Sequence, residues 1–299
     1  MYAISILIIF ILSCIVALLK WNRRDRRLPS YVCYNFLQTL AHHRIDLPHE
    51  TRHLYDFDKS AVFDPSTVTS RANVVFVKTD LLDDFVDRDM QNIRVPFVLV
   101  TGNSDLSPSE HGTDAIVAYP MVLQWASTNV HRRHESPITR GMPIGLSEPD
   151  RPIGDQYVIS RCMSKIRVKK NRVLLPPCGN THPVRAKLQD FEHRLVDRLN
   201  GPKMSFEKYL DTMAEYRWII CPRGNGIDVH RVWESLLLRS IPIYVADSYD
   251  TVPLVYKEFP MIVVSTIEDL PRTLDRLEAY DINWEAVRKA LTLSSYAVT

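Results

Sequence analysis

Tyr216-Arg-Trp-Ile-Ile-Cys-Pro-Arg-Gly-Asn-Gly-Ile-Asp-Val-His-Arg-Val-Trp-Glu-Ser-Leu-Leu-Leu-Arg-Ser-Ile-Pro-Ile-Tyr244 decides how this chain is read. The stretch opens on apolar and aromatic residues, tightens through Pro222 to Gly226, continues amphipathically, and returns to apolar residues at Ile241. Strand, tight loop, helix, strand is the unit from which parallel α/β sheets are built. Gly224 and Gly226 are expected to let the loop turn sharply and bring its backbone N–H groups, Asn225 between them, close to a ligand. With the positive end of the following helix they would form an anion site suited to a diphosphate.

At about 100° per residue, a helix over Val229–Arg239 carries Val229, Val232, Trp233, Leu236 and Leu237 on one stripe. His230, Arg231 and Glu234 fall together on the adjoining polar wedge, which can look into a cleft. These residue types fit a nucleotide sugar. Arg223 and Arg231 can offset diphosphate charge, Glu234 can accept from both ribose hydroxyls, and His230 can donate to a phosphate or sugar oxygen. Such a set stabilises a departing nucleoside diphosphate without a metal. The bland readings stand beside these: Asp228 as a helix N-cap, and Arg231 with Glu234 as a solvated i, i+3 pair. The loop has neither the GxGxxG nor the GxxxxGK[ST] spacing, which argues against a dinucleotide enzyme and a P-loop NTPase.

Outward from this motif, Arg172–Leu175, Arg217–Cys221, Ile241–Val245 and Met261–Val264 read as strands. Pro183–Leu199 reads as a helix with Pro in its first turn, Ser205 caps another, and Ser265–Glu268 is a capping box. Upstream, Asn73–Lys78 and Val95–Thr101 read as buried strands joined by a helix within Leu81–Met90. The polar, Pro-rich Glu148–Asp155 marks a linker, which gives an N-terminal α/β domain over 28–152 and a C-terminal one over 153–299. The succession in the second domain suits a Rossmann-like nucleotide-binding fold, whose ligands sit outside the carboxyl ends of the strands.

Tyr2–Leu19 is uninterrupted by charge and reads as a single membrane-spanning anchor, with residues 1–27 forming anchor and basic stalk. A cleaved signal peptide would begin basic and carry a shorter apolar run. Lys20, Arg23, Arg24, Arg26 and Arg27 against Asp25 contribute +4 to a chain total of +2, so the remainder carries −2. That mildly acidic remainder lacks the footprint of a nucleic-acid binder. The basic flank predicts that the large domain is cytosolic, and the absence of any Asn-x-Ser/Thr acceptor agrees. The five cysteines are sparse and unpatterned, as free thiols would be.

Cys221-Pro-Arg-Gly-Asn-Gly-Ile-Asp-Val-His-Arg-Val-Trp-Glu-Ser-Leu236 through Ser240-Ile-Pro-Ile243 resembles the signature of exostosin-like transferases, glycosyltransferase family 47, including the compact versions of large DNA viruses. The likeness is strong over about residues 205–265. It is weaker over about 95–190, where Val100-Thr-Gly-Asn-Ser-Asp105, Trp125, Pro143-Ile-Gly145 and Arg185 resemble shorter landmarks of the same group. The resemblance implies a GT-B architecture, two Rossmann-like domains with a cleft between them. The donor, most often a uridine diphosphate sugar, would lie mainly on the C-terminal domain and a glycan acceptor on the other. It implies that Glu234 holds the ribose and that Arg231, Arg223 and Arg185 contact the diphosphate. Family members of the secretory pathway usually face the lumen, opposite to the charge argument.

Inverting transfer needs a base near the acceptor hydroxyl. Asp105, just beyond a strand end, is the first candidate, with Glu110 and His111 behind it. His42, His43, His131 and His134 read as surface residues, since no third metal ligand converges with them. The rival from another class is a noncatalytic, membrane-tethered nucleotide- or sugar-binding protein of the same fold.

Overall fold

The computed structural model describes residues 31–32, 43–45, 66, 68, 73–148, 151–165, 167–199, 204–279 and 281–292. The anchor expected over Tyr2–Leu19 lies outside the described residues, and among those described no helix is long and apolar enough to cross a membrane. The chain is an α/β protein with two all-parallel sheets of five strands each.

The first sheet runs in simple sequence order: β1 (His43–Ile45), β2 (Val74–Lys78), β3 (Phe97–Gly102), β4 (Val122–Ser127) and β5 (Thr139–Gly141). Helix α1 (Leu82–Arg88) joins β2 to β3, and α2 (Glu110–Ala118) joins β3 to β4. Sequential order with right-handed crossovers puts both helices on one face. Accordingly Val75, Val77, Leu99 and Trp125 pack with Phe85, Val86 and Ile116. The alternate residues Val74, Phe76, Val98, Val100 and Ala126 point the other way, into a core shared with the second half of the chain. This sheet therefore lacks the reversal of strand order that a doubly wound Rossmann-like domain would have.

The second sheet has that reversal. After α3 (Gln156–Ser164) come β6 (Lys170–Leu175), α4 (Pro183–Lys187), β7 (Val196–Arg198), α5 (Phe206–Met213), β8 (Tyr216–Pro222), α6 (His230–Leu237), β9 (Ile241–Val245), β10 (Ile262–Val264), α7 (Leu270–Asp275) and α8 (Trp284–Ala290). The spatial order is β7-β6-β8-β9-β10, so winding changes direction between β6 and β8. Val184 of α4 and Leu270 of α7 cover one face with Trp218 and Ile243. Leu210 of α5 and Trp233 of α6 cover the other with Ile219 and Tyr244.

Two expected elements differ. The helix read over Pro183–Leu199 stops at Lys187, and Val196–Arg198 instead forms the edge strand β7 against β6. Arg198 ties the intervening loop by donating to the carbonyls of Leu188 and Phe191, and β-branched Val196 fits the pleat better than a helix. The capping box at Ser265–Glu268 is displaced by one residue: Thr266 precedes the turn, and its hydroxyl donates to Asp269 at 2.9 Å.

Segment 31–32 is stitched into the second half. Tyr31 bridges Thr292, the Val32 N–H donates to Leu291, and the Val32 carbonyl accepts from Leu146 at 2.9 Å. Gly145, at φ +67°, makes this approach possible, because a Cβ there would lie 2.1 Å from the Val32 carbonyl oxygen. Gly145→Ala should therefore destabilise the fold by about 2 kcal/mol or more, read as a lowered denaturant midpoint of the full chain; an unchanged midpoint would show that the Val32 contact is dispensable.

Candidate active site between the two sheets

A cavity of about 710 Å³ opens outside the carboxyl ends of β6 and β8, where the winding of the second sheet reverses. Its walls come from the loops after these strands, from α5 and α6, and from Asp105 and Ile144 of the first half. Its volume is that of an ordinary small-molecule site. Of the ten residues that the sequence nominates for donor binding and as the first-choice base, nine line it: Asp105, Arg185, Gly224, Asn225, Gly226, Asp228, His230, Arg231 and Glu234.

The glycine loop is shaped differently from the expectation. Neither Gly224 nor Gly226 adopts a positive φ, so neither is needed for a sharp turn. Each is needed for room. A Cβ at Gly224 would come within 2.8 Å of the Arg185 guanidinium, and one at Gly226 within 3.2 Å of Asn129. Arg185 reaches the loop from α4 and donates to the carbonyls of Arg223 and Pro222 at 2.8 and 3.3 Å.

Arg223 is the nominated residue that does not line the cavity. Its guanidinium turns to Asp247 at 2.8 Å and braces its own loop through the carbonyls of Gly224 and Asn225. The Asp247 carboxylate competes for the charge that a diphosphate would otherwise meet. The cationic lining thus comes from Arg185 and Arg231.

Asp228 lies at the cavity floor with its carboxylate buried inside the protein. It accepts from the Ile144 N–H at 2.8 Å, the Trp233 indole at 2.8 Å and the Tyr256 hydroxyl at 2.7 Å. Burial nevertheless pushes its pKa up to about 7, against these donors. It is no N-cap: Val229 holds that position without a side-chain cap.

On α6 the apolar stripe packs inward as patterned, and the polar wedge faces the cavity. Arg231 and Glu234 are more than a solvated pair, because Tyr209 of α5 stands between them. Its hydroxyl accepts from Arg231 Nε at 3.1 Å and donates to Glu234 Oε2 at 3.2 Å. Arg231 also donates to the Pro177 carbonyl at 2.6 Å and Cys178 Sγ at 3.0 Å. Burial raises Glu234 to about 7, while Arg231 and the Tyr209 hydrogen bond pull the other way. Tyr209 carries no motif that would have announced it. Asn129, also missed, offers one signal: an Asn just past a strand end, a residue type that tolerates its observed φ of 54°.

Asp105 is exposed at the rim and accepts weakly from the Asn225 amide at 3.4 Å. The reserve bases are elsewhere. Glu110 pairs with Arg133 and His134, and His111 with Asp87, on α2 and outside the cavity lining. His131 and His134 are not surface residues: their rings stack with centroids 5.4 Å apart, and His134 is buried. His42 lies outside the described residues. Among those described, Cys162, Glu207 and Asp211 could together approach a cation, but Arg161, Lys165 and Arg167 already neutralise the two acids. Cys162, Cys178 and Cys221 are free thiols.

No family model matches the chain, and a comparison with curated proteins gives no match.

Glu234 titrates near 4.5 when unfolded and near 7 in the fold, so between these values the fold holds a proton that the unfolded chain releases. Its contribution to stability is full below the lower value and is lost as pH rises through the upper one. Denaturant midpoints of the full chain measured from about pH 5 to 8 should fall with a steeper slope in the parent than in Glu234→Gln. Parallel slopes would show that the carboxyl titrates normally.

Proposed function

We propose that the chain is a glycosyltransferase of the exostosin-like type that takes a nucleoside-diphosphate sugar, most simply a uridine diphosphate sugar, and passes the sugar to a glycan acceptor. The observation that carries the reading is the cavity at the β6/β8 reversal, walled by the linked trio Arg231, Tyr209 and Glu234 beside the glycine loop. A diphosphate set against this loop meets the N-terminus of α6 and the cations Arg185 and Arg231. The nucleoside then extends along α6, where Glu234 accepts from ribose hydroxyls.

Two sheets with the cavity between their loops suit a GT-B arrangement, with the acceptor entering from the side of Asp105. Leaving-group charge developing on the β-phosphate oxygens is met by Arg185, Arg231 and backbone donors, groups already held in place by the carbonyls of Pro222, Arg223 and Pro177. Tyr2–Leu19 would hold the enzyme to a membrane with its large part in the cytosol, as the basic flank favours. Protection of that part from protease in sealed vesicles would argue for the lumen instead.

The second reading is a noncatalytic nucleotide-binding protein of the same fold. Arg223 speaks for it, since its engagement with Asp247 removes one expected diphosphate contact. Incubating the full chain in detergent with a panel of radiolabelled nucleotide sugars, with and without simple glycoside acceptors, separates the two. Release of free sugar or a glycoside product supports the transferase, and binding without turnover supports the alternative.

Glu234→Ala should weaken uridine diphosphate binding by about 1 to 3 kcal/mol, because it leaves ribose hydroxyls unpaired. Calorimetric titration checks this, and unchanged affinity would remove Glu234 from the nucleotide site.

A further inference from the structure

We infer that Tyr209 is the positioning residue that makes the nucleotide site selective for ribose: by occupying one oxygen of Glu234 it reserves the other for a ribose hydroxyl. This rests on the nucleotide-sugar reading of the cavity and adds to it a selectivity against deoxynucleotides.

The direction of each bond in the trio follows from what the groups can do. Arg231 Nε only donates, so the Tyr209 hydroxyl accepts from it at 3.1 Å. The single phenolic proton is then left for Glu234 Oε2, 3.2 Å away. Burial pushes the pKa of that phenol up, so it keeps its proton. The Tyr209 ring is stacked on Phe206, one turn earlier on α5, with centroids 6.3 Å apart and planes 20° from parallel. Arg231 is steered in turn by the Pro177 carbonyl and Cys178 Sγ. The hydroxyl is thereby fixed from both sides.

This leaves the Glu234 carboxyl lopsided. Glu234 is only 7% exposed, and that exposure is to the cavity it lines. Oε2 carries the Tyr209 bond, while Oε1 has no partner among the described residues and opens on the cavity. A carboxylate oxygen so placed is costly until a donor reaches it. With the diphosphate on the glycine loop the ribose comes next along α6, and its hydroxyls supply that donor.

Protonation bears on the same oxygen. Because Oε2 must accept from Tyr209, a proton bound by Glu234 sits on Oε1 and turns the acceptor into a donor. Burial raises the Glu234 pKa to about 7, while Arg231 on its own helix and the Tyr209 bond from α5 pull it down. Cys221 of β8 also faces the carboxyl, and Cys178 approaches it through Arg231. Ribose recognition therefore strengthens as pH rises through that value.

In the full detergent-solubilised chain, affinities for uridine diphosphate and for its 2′- and 3′-deoxy counterparts are compared by calorimetric titration. The parent should bind at least one deoxy compound about 5- to 150-fold more weakly, the fold-change of one group left unpaired. That ratio, in which ionisation of the phosphate cancels, should rise with pH around a midpoint of about 7. In Tyr209→Phe the ratio should fall to within about threefold of unity and lose its pH dependence. Glu234→Ala should do the same, and adding Tyr209→Phe to it should change the ratio by no more than about twofold, since Tyr209 acts through Glu234. A ratio preserved in Tyr209→Phe, equal losses for all three compounds in that variant, a parent ratio near unity, or a parent ratio indifferent to pH would each overturn the assignment while leaving the transferase reading intact. A parent chain that binds no uridine diphosphate would overturn both. If Tyr209→Phe does not fold, shown by a lost melting transition, Tyr209→Leu is measured in the same assays against the same outcomes.

Discussion

The architecture turns on one buried carboxylate. Asp228 sits where the glycine loop enters α6, and its oxygens gather an amide from the strand-exit segment at Ile144, the indole of Trp233 and the phenol of Tyr256. Its own N–H donates to Asn129, whose amide in turn holds the Ser104 carbonyl. Four groups thus converge within hydrogen-bond reach of one residue, and Ser104 is tied in through Asn129. A carboxylate in such surroundings is costly to bury unless its lone pairs are occupied, and that requirement fixes the loop, the start of α6 and the loops of the first sheet relative to one another. The cavity exists because these pieces cannot slide independently.

What could be read from the residues follows from which forces leave a periodic trace. The stripe Val229, Val232, Trp233, Leu236 and Leu237 is set by burial, and burial repeats with the helix, so α6 and its polar wedge were legible. The strands beside it were legible for the same reason. Val196–Arg198 was not, because a three-residue edge strand leaves too little alternation to outweigh the helical preference of Val184-Arg-Ala-Lys187. The role of the glycines was misread as well. Their small size serves the neighbours Arg185 and Asn129, and nothing in the local sequence reports what approaches from elsewhere in the chain. Tyr209 and Asn129 are invisible for that reason too, since each gains its part from partners 20 or more residues away.

The cavity wall also explains why Arg231 and Glu234 sit together without collapsing into a simple ion pair. The Tyr209 hydroxyl, accepting from one and donating to the other, spaces the two charges and keeps each directed. In a low-dielectric setting such a relay strengthens every member, and a missing member leaves two poorly satisfied groups behind. Arg231 is further restrained by Pro177 and Cys178 from the loop after β6. The reversal point of the sheet therefore contributes more than a crevice: the loop after β6 and helix α5 between them steer one guanidinium.

The sequential first sheet has one further consequence. Because its described crossovers lie on one face, Val74, Phe76, Val98, Val100 and Ala126 share a single apolar core with Leu174, Ile219, Trp233 and Tyr256 of the second half. Lobes joined by a continuous dry interior are not free to swing as hinged bodies, since opening them would expose that interior to water. A ligand would then reach the cavity through its rim, past Asp105 and the side chains at Ile153 and Phe206, rather than by a jaw-like opening of the two halves.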